Sequence, residues 1–95
     1  MKRFWNKKVV WYDSKNRLLK RTRNITFEDI QLAISQWNTS TIKKHPNTDK
    51  YPTQKILYIE VNDYIYSVPF EESENEIFLK TIFRTNKTSQ KFLRD

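Results

Sequence analysis

The stretch Gln54–Arg84 constrains the fold more than any other, because it contains a hairpin whose register can be read residue by residue. Lys55–Val61 and Tyr64–Phe70 are dense in β-branched and aromatic residues, and only Asn62-Asp63 separates them. Asn and Asp tolerate the positive φ that a two-residue primed turn requires. That turn sets Val61 opposite Tyr64, Ile59 opposite Tyr66 and Leu57 opposite Val68. One face then carries Leu57, Ile59, Val61, Tyr64, Tyr66, Val68 and Phe70, and the other carries Ile56, Tyr58, Glu60, Ile65 and Ser67. After an acidic segment, Glu71–Asn75, a third strand is expected over Glu76–Thr85. Strict alternation along it puts Ile77, Leu79, Thr81 and Phe83 on the apolar side. Phe78, Lys80, Ile82 and Arg84 fall on the other side, so Lys80 and Arg84 are expected to project together beside Tyr58 and Ser67.

A chain of 95 residues suits one domain, residues 1–95, with a single sheet and two or three helices. Three tryptophans, five tyrosines and six phenylalanines supply much of the burial. The absence of cysteine removes disulfides and thiol nucleophiles, and one histidine leaves no ordinary ligand set for a structural zinc. The absence of glycine removes Gly-rich phosphate loops and nucleophile elbows. No apolar run has the length of a membrane span, and the N-terminus lacks a secretory apolar core; a cytoplasmic location is expected. No cofactor or metal is expected.

The net charge is +7, and it is unevenly spread. Residues 1–23 hold Lys2, Arg3, Lys7, Lys8, Lys15, Arg17, Lys20, Arg21 and Arg23 against Asp13 alone. Such asymmetry fits a phosphate-bearing or acidic partner, although a basic surface also serves solubility.

Phe4, Val9, Val10, Trp11 and Tyr12 suggest a short extended segment packed along the sheet edge. Asp13 or Ser14 is placed to cap a helix over Ser14–Arg23, with Leu18 and Leu19 as its core residues. A second helix is expected over Phe27–Trp37. Thr26 caps it, Glu28 and Asp29 suit its dipole, and Phe27, Ile30, Ala33, Ile34 and Trp37 recur at helical spacing. Asn38–Pro52 reads as an exposed loop with a brief strand at Ser40–Lys43. The tail Thr85–Asp95 suits one amphipathic turn or short helix. Glu71, Glu72, Glu74 and Glu76 read as a solvated turn.

Metal-free RNA cleavage needs a base for the ribose 2′-hydroxyl, cations for the phosphorane-like transition state and an acid for the leaving oxygen. His45, Lys50, Tyr51, Lys55, Lys80, Arg84, Lys87 and Lys91 form the pool from which such groups could come. Each has a plainer reading. His45 before a proline fits a structural turn, Lys50, Tyr51 and Lys55 fit the flank of a sheet, and Lys87 and Lys91 fit general phosphate contacts. Tyr58 fits packing, or stacking with a base from the mixed face.

Thr26-Phe27-Glu28-Asp29-Ile30, His45-Pro46-Asn47, Lys50-Tyr51-Pro52 with Gln54, the strand ending Val68-Pro69-Phe70, and Leu79-Lys80-Thr81-Ile82 before a basic tail form one pattern from Trp11 to Phe92. This pattern resembles the BrnT-like branch of the RelE/ParE superfamily of type II toxin–antitoxin systems. The resemblance implies a RelE-like α+β fold: N-terminal helices on a three- to five-stranded antiparallel sheet, then a short C-terminal helix. It implies a metal-independent endoribonuclease that inhibits translation, neutralised by a cognate antitoxin, often of ribbon-helix-helix type. On this view His45, Tyr51, Lys80 and Arg84 are catalytic, and Lys50, Lys55, Tyr58, Lys87 and Lys91 bind RNA. The chain departs from the family pattern after the last strand: Asn86 stands where relatives carry an arginine, and Phe92 where a tyrosine is common. A relative that only binds RNA or its antitoxin is the alternative.

Overall fold

The computed structural model describes residues 7–36, 38 and 40–85. The expected C-terminal helix, Lys87 and Lys91, the departures at Asn86 and Phe92, and the core candidate Trp37 lie outside them, as does Phe4.

Strand β1 (Lys8–Val10) leads into helix α1 (Asp13–Arg23) and helix α2 (Phe27–Ser35). Strands β2 (Ser40–Lys44), β3 (Gln54–Val61), β4 (Tyr64–Glu72), β5 (Glu76–Leu79) and β6 (Phe83–Arg84) follow. The sheet runs β1-β5-β4-β3-β2, with β6 paired to β4. It is a six-stranded, mostly antiparallel sheet with helices on one side, an α+β architecture. The strand number exceeds the expected three to five, and β1 lies parallel to β5, Lys8 opposite Glu76 and Val10 opposite Phe78. A strand that precedes the helices can reach the sheet edge only by crossing from the far end of the chain, which the local hairpin pattern does not encode.

The central hairpin follows its sequence. Asn62 and Asp63 take φ of 52° and 71°, and Val61–Tyr64, Ile59–Tyr66 and Leu57–Val68 are direct partners. Leu57, Ile59, Val61, Val68, Phe70, Ile77, Leu79 and Ile82 pack with Leu19, Ile25, Phe27, Ile30, Ala33 and Ile34 of the helical layer. Helix α2 starts with a capping box: the Asp29 N–H donates to Thr26 Oγ1 (3.1 Å) and the Thr26 N–H to Asp29 Oδ2 (3.0 Å). Asn16 ties the helices together, accepting from the Phe27 N–H (2.8 Å) and donating to Glu28 (2.7 Å). At the start of α1 neither Asp13 nor Ser14 caps; Tyr12 holds that position without a side-chain bond. Leu19 is buried while Leu18 is exposed, because adjacent helical positions point about 100° apart.

The third strand is interrupted, and the interruption rearranges its faces. Between the pairs Phe70–Leu79 and Ser67–Phe83, β4 supplies Val68 and Pro69, whereas the opposing chain supplies Lys80, Thr81 and Ile82. The additional residue makes a β-bulge. Pro69 explains its location. The carbonyl of Pro69 accepts from the Lys80 N–H (2.8 Å), so the nitrogen of Pro69, which has no hydrogen, faces the same neighbour and cannot continue the ladder. Beyond the bulge the alternation shifts by one: Ile82 enters the core at 0 % exposure, while Phe83 is 45 % exposed. Thr81 Oγ1 is buried at the bulge without a hydrogen-bond partner.

Candidate functional site

The bulge separates Lys80 from Arg84 and corrects the expectation that they share a face. Lys80 belongs to the side away from the helices. Its Nζ lies 2.6 Å from Glu71 Oε1 and 4.4 Å from the centre of the Phe78 ring, and Glu71 and Phe78 are direct partners on that side. Arg84 is opposite Tyr66, whose ring packs against the core, so it belongs to the helix side. Its guanidinium sits 4.8 Å from the ring centre of Tyr64, the next residue of β4 on that face. Glu71 and Tyr66 are five positions apart on β4. At ~3.3 Å per residue, the two cations are therefore anchored about 17 Å apart along the strand as well as on opposite faces.

Most of the remaining candidates converge on the end of the sheet where Lys80 sits. The segment between β2 and β3 folds as a tight structure around His45. The Asn47 N–H donates to His45 Nδ1 (3.0 Å), the Lys50 N–H to Asn47 Oδ1 (3.1 Å), and the Tyr51 N–H to the Asn47 carbonyl (2.9 Å). With Nδ1 accepting, the proton of the neutral imidazole resides on Nε2. The rings of His45 and Tyr51 lie 4.5 Å apart, and Lys50 Nζ is 5.4 Å from the Tyr51 ring centre. Gln54 joins this turn to the sheet: its carbonyl accepts from the His45 N–H (3.2 Å), its N–H donates to the Tyr51 carbonyl (3.3 Å), and it stands opposite Glu71.

Glu71 joins the end of this turn to Lys80. It accepts from Thr53 Oγ1 at 3.2 Å and pairs with Lys80. The hydrogen bond from Lys80 is the main reason its carboxyl lies below the usual carboxylate range. Partial burial pushes the other way, and the charge of Lys80 and the Thr53 bond add to the lowering. Glu72, the next residue, points to the helix side and holds Lys7 (2.6 Å) and Lys55 (3.2 Å). The expectation of a solvated acidic turn is thus corrected for Glu71 and Glu72, which end β4 and organise three lysines. Glu76 begins β5, and Glu74 is exposed between the strands. Strand alternation extended two residues past Phe70 would have identified both carboxylates from the sequence. Tyr58 stands half-buried on the side away from the helices, opposite Ser67 and Thr41.

A second feature lies at the other end of β4. Arg23, Tyr66, Phe83 and Arg84 line a cavity of about 480 Å³. Arg23, in the last turn of α1, donates from Nη1 to the Ile82 carbonyl (3.0 Å) and lies 4.9 Å from the Phe83 ring centre. Neither Arg23 nor Tyr66 nor Phe83 stands out in the sequence as a site residue, because the bulge brings them together. Among the described residues no helix is long and apolar enough to cross a membrane. No protein-family model, no curated protein and no solved structure matches this chain.

Proposed function

We propose that the protein is the toxin of a type II toxin–antitoxin pair and a metal-independent endoribonuclease of RelE-like architecture. Its cleavage site is the end of the sheet that carries His45, Lys50, Tyr51, Glu71 and Lys80. The observation that carries this reading is the chain of contacts from the His45–Tyr51 turn through Gln54 and Thr53 to the Glu71–Lys80 pair. It gathers an ionised carboxylate, two ammonium groups, an imidazole and a phenol on one rim. In the reaction, the 2′-oxygen attacks the adjacent phosphorus and the 5′-oxygen departs, leaving a 2′,3′-cyclic phosphate and a 5′-hydroxyl. Glu71 takes the 2′-hydroxyl proton. Lys80 and Lys50 balance the charge that grows on the phosphoryl oxygens, to which His45 Nε2–H also donates. Tyr51 supplies the proton to the leaving oxygen.

A cognate antitoxin, often of ribbon-helix-helix type in such systems, and cellular RNA are the partners this reading requires, in the cytoplasm. The Glu71–Lys80 pair also favours the second reading, a relative that binds RNA or antitoxin without cutting, since the carboxylate already occupies the ammonium. Purified protein incubated with total RNA and a chelator separates them. The toxin reading expects cleavage that falls at least ~100-fold in Lys80→Ala and in Glu71→Gln, within the range ascribed to acid–base and electrostatic groups. Intact RNA with folded wild-type protein overturns the enzyme; undiminished cleavage by both variants moves the site elsewhere.

A further inference from the structure

The cavity between α1 and the bulged edge of the sheet lies outside the rim assigned to cleavage, and its lining is chemically unusual. Among the described residues, two guanidiniums, Arg23 and Arg84, and two rings, Tyr66 and Phe83, line it. At the other end of β4 the acids answer the bases. Lys7 and Lys55 meet Glu72, and Lys80 meets Glu71. Among the described residues, Arg23 and Arg84 have no carboxylate partner. They are held by neutral groups instead, Arg23 by the Ile82 carbonyl and the Phe83 ring, and Arg84 by the Tyr64 ring. Two oriented, uncompensated guanidiniums attract an anion, and their forked donors match the oxygens of a phosphate.

The rings specify the rest of the ligand. Phe83 is a large apolar side chain left 45 % exposed on the cavity wall, and a flat exposed ring beside arginines is the arrangement on which an unpaired base stacks. A volume of about 480 Å³ falls within the ~300–1,000 Å³ of ordinary small-ligand sites. The exposed Arg17, Lys20 and Arg21 on the helix that ends at Arg23 extend the positive surface beyond the cavity. An acidic peptide would satisfy the guanidiniums but gain little from the ring.

We propose that this cavity seats one nucleotide of single-stranded RNA, its phosphate between Arg23 and Arg84 and its base against Phe83. It is a holding site distinct from the cleavage rim, about a β-strand's length away. The inference rests on the reading of the protein as RNA-directed, and it concerns binding only.

Fluorescence anisotropy with a labelled single-stranded RNA oligonucleotide tests it, with duplex RNA and a poly-glutamate peptide as competitors. Phe83→Ala is expected to weaken binding by about tenfold or more, and Phe83→Trp to restore it. Arg84→Gln should lower the slope of log affinity against log salt by about 0.7, the value for one lost single-strand phosphate contact. Single-stranded RNA should compete better than the duplex or the peptide. Unchanged affinity in Phe83→Ala and Arg84→Gln, with both variants folded by thermal melting, overturns the proposal. So does a cavity that takes poly-glutamate in preference to RNA. A 2′-O-methyl oligonucleotide, which cannot be cleaved because it lacks the attacking hydroxyl, separates this site from the rim: its affinity should fall in Phe83→Ala to the same degree as that of ordinary RNA, whether or not RNA is cut. Failure of cleavage would then leave the cavity standing, and failure of the cavity would leave cleavage standing.

Discussion

At the scale of single residues, the contact between Lys80 and Glu71 decides most. The pair is partly exposed, with side-chain accessibilities of 32 % and 40 %, so solvent screens it and its contribution to stability is at most ~1 kcal/mol. Its sign is nevertheless fixed. A carboxyl held low in the folded state stabilises the fold above its unfolded pKa, and that stabilisation disappears as pH falls through the lower folded value. Lys80→Met should therefore be less stable than wild type at neutral pH, by no more than ~1 kcal/mol, and the difference should shrink below about pH 4. Urea unfolding of both proteins at several pH values measures it. A gap that widens in acid would mean that Lys80 acts on some group other than Glu71. The same contact explains why Lys80 is not drawn into the core despite lying between Leu79 and Ile82: its ammonium sits over the Phe78 ring and meets a carboxylate.

At the scale of elements, the bulge opposite Pro69 is the feature that matters. If Ile82 is a core residue and Phe83 a surface one, Ile82→Ala should cost ~2–4 kcal/mol through the cavity it leaves. Phe83→Ala should cost less than about half of that. Denaturant midpoints for the two variants check the order, and the reverse order would restore an uninterrupted strand. The hairpin was legible in the sequence because Asn62-Asp63 fixes the turn and every position after it inherits the register. The second helix was legible because Thr26 and Asp29 form a reciprocal cap and Phe27, Ile30, Ala33 and Ile34 mark one face. The first helix was less so, since Leu19 alone anchors it and no side chain caps its start. The faces of the third strand depart from strict alternation for one local reason. A proline inside a strand that is paired on both edges signals a break in the ladder, and Val68-Pro69-Phe70 carried that signal. Without the shift it imposes, Arg84 is assigned to the side of Lys80, and the cavity with Arg23 stays invisible. The cluster of His45, Lys50, Tyr51 and Lys80 was nameable as residue types, but their meeting at one rim depends on the pairing of Gln54 with Glu71, a contact between strands that composition does not specify.

At the scale of the whole molecule, charge is sorted by position. The carboxylates Glu71 and Glu72 gather lysines at one end of the sheet, and α1 presents Lys15, Arg17, Lys20, Arg21 and Arg23 with Asp13 as the sole acid of the helix. Reversing Arg17 and Lys20 to Glu should weaken association with RNA of any sequence, reduce its salt dependence and leave thermal stability within ~0.5 kcal/mol, because exposed helix positions seldom contribute more. Filter binding at two salt concentrations, beside a melting curve, would reveal either outcome. The parallel seating of β1 beside β5 has a further consequence for how the molecule comes into being. Lys8 bonds to the Asn75 carbonyl, and Lys7 reaches Glu72 and Ser73. The outermost ribbon therefore has nowhere to dock until the chain has been made almost to Leu79, and contacts this distant in sequence close slowly. A partly synthesised copy whose β5 has not yet left the ribosome has its helices and hairpin but an unzipped border, so the sheet closes only once the segment up to Leu79 is free to pair.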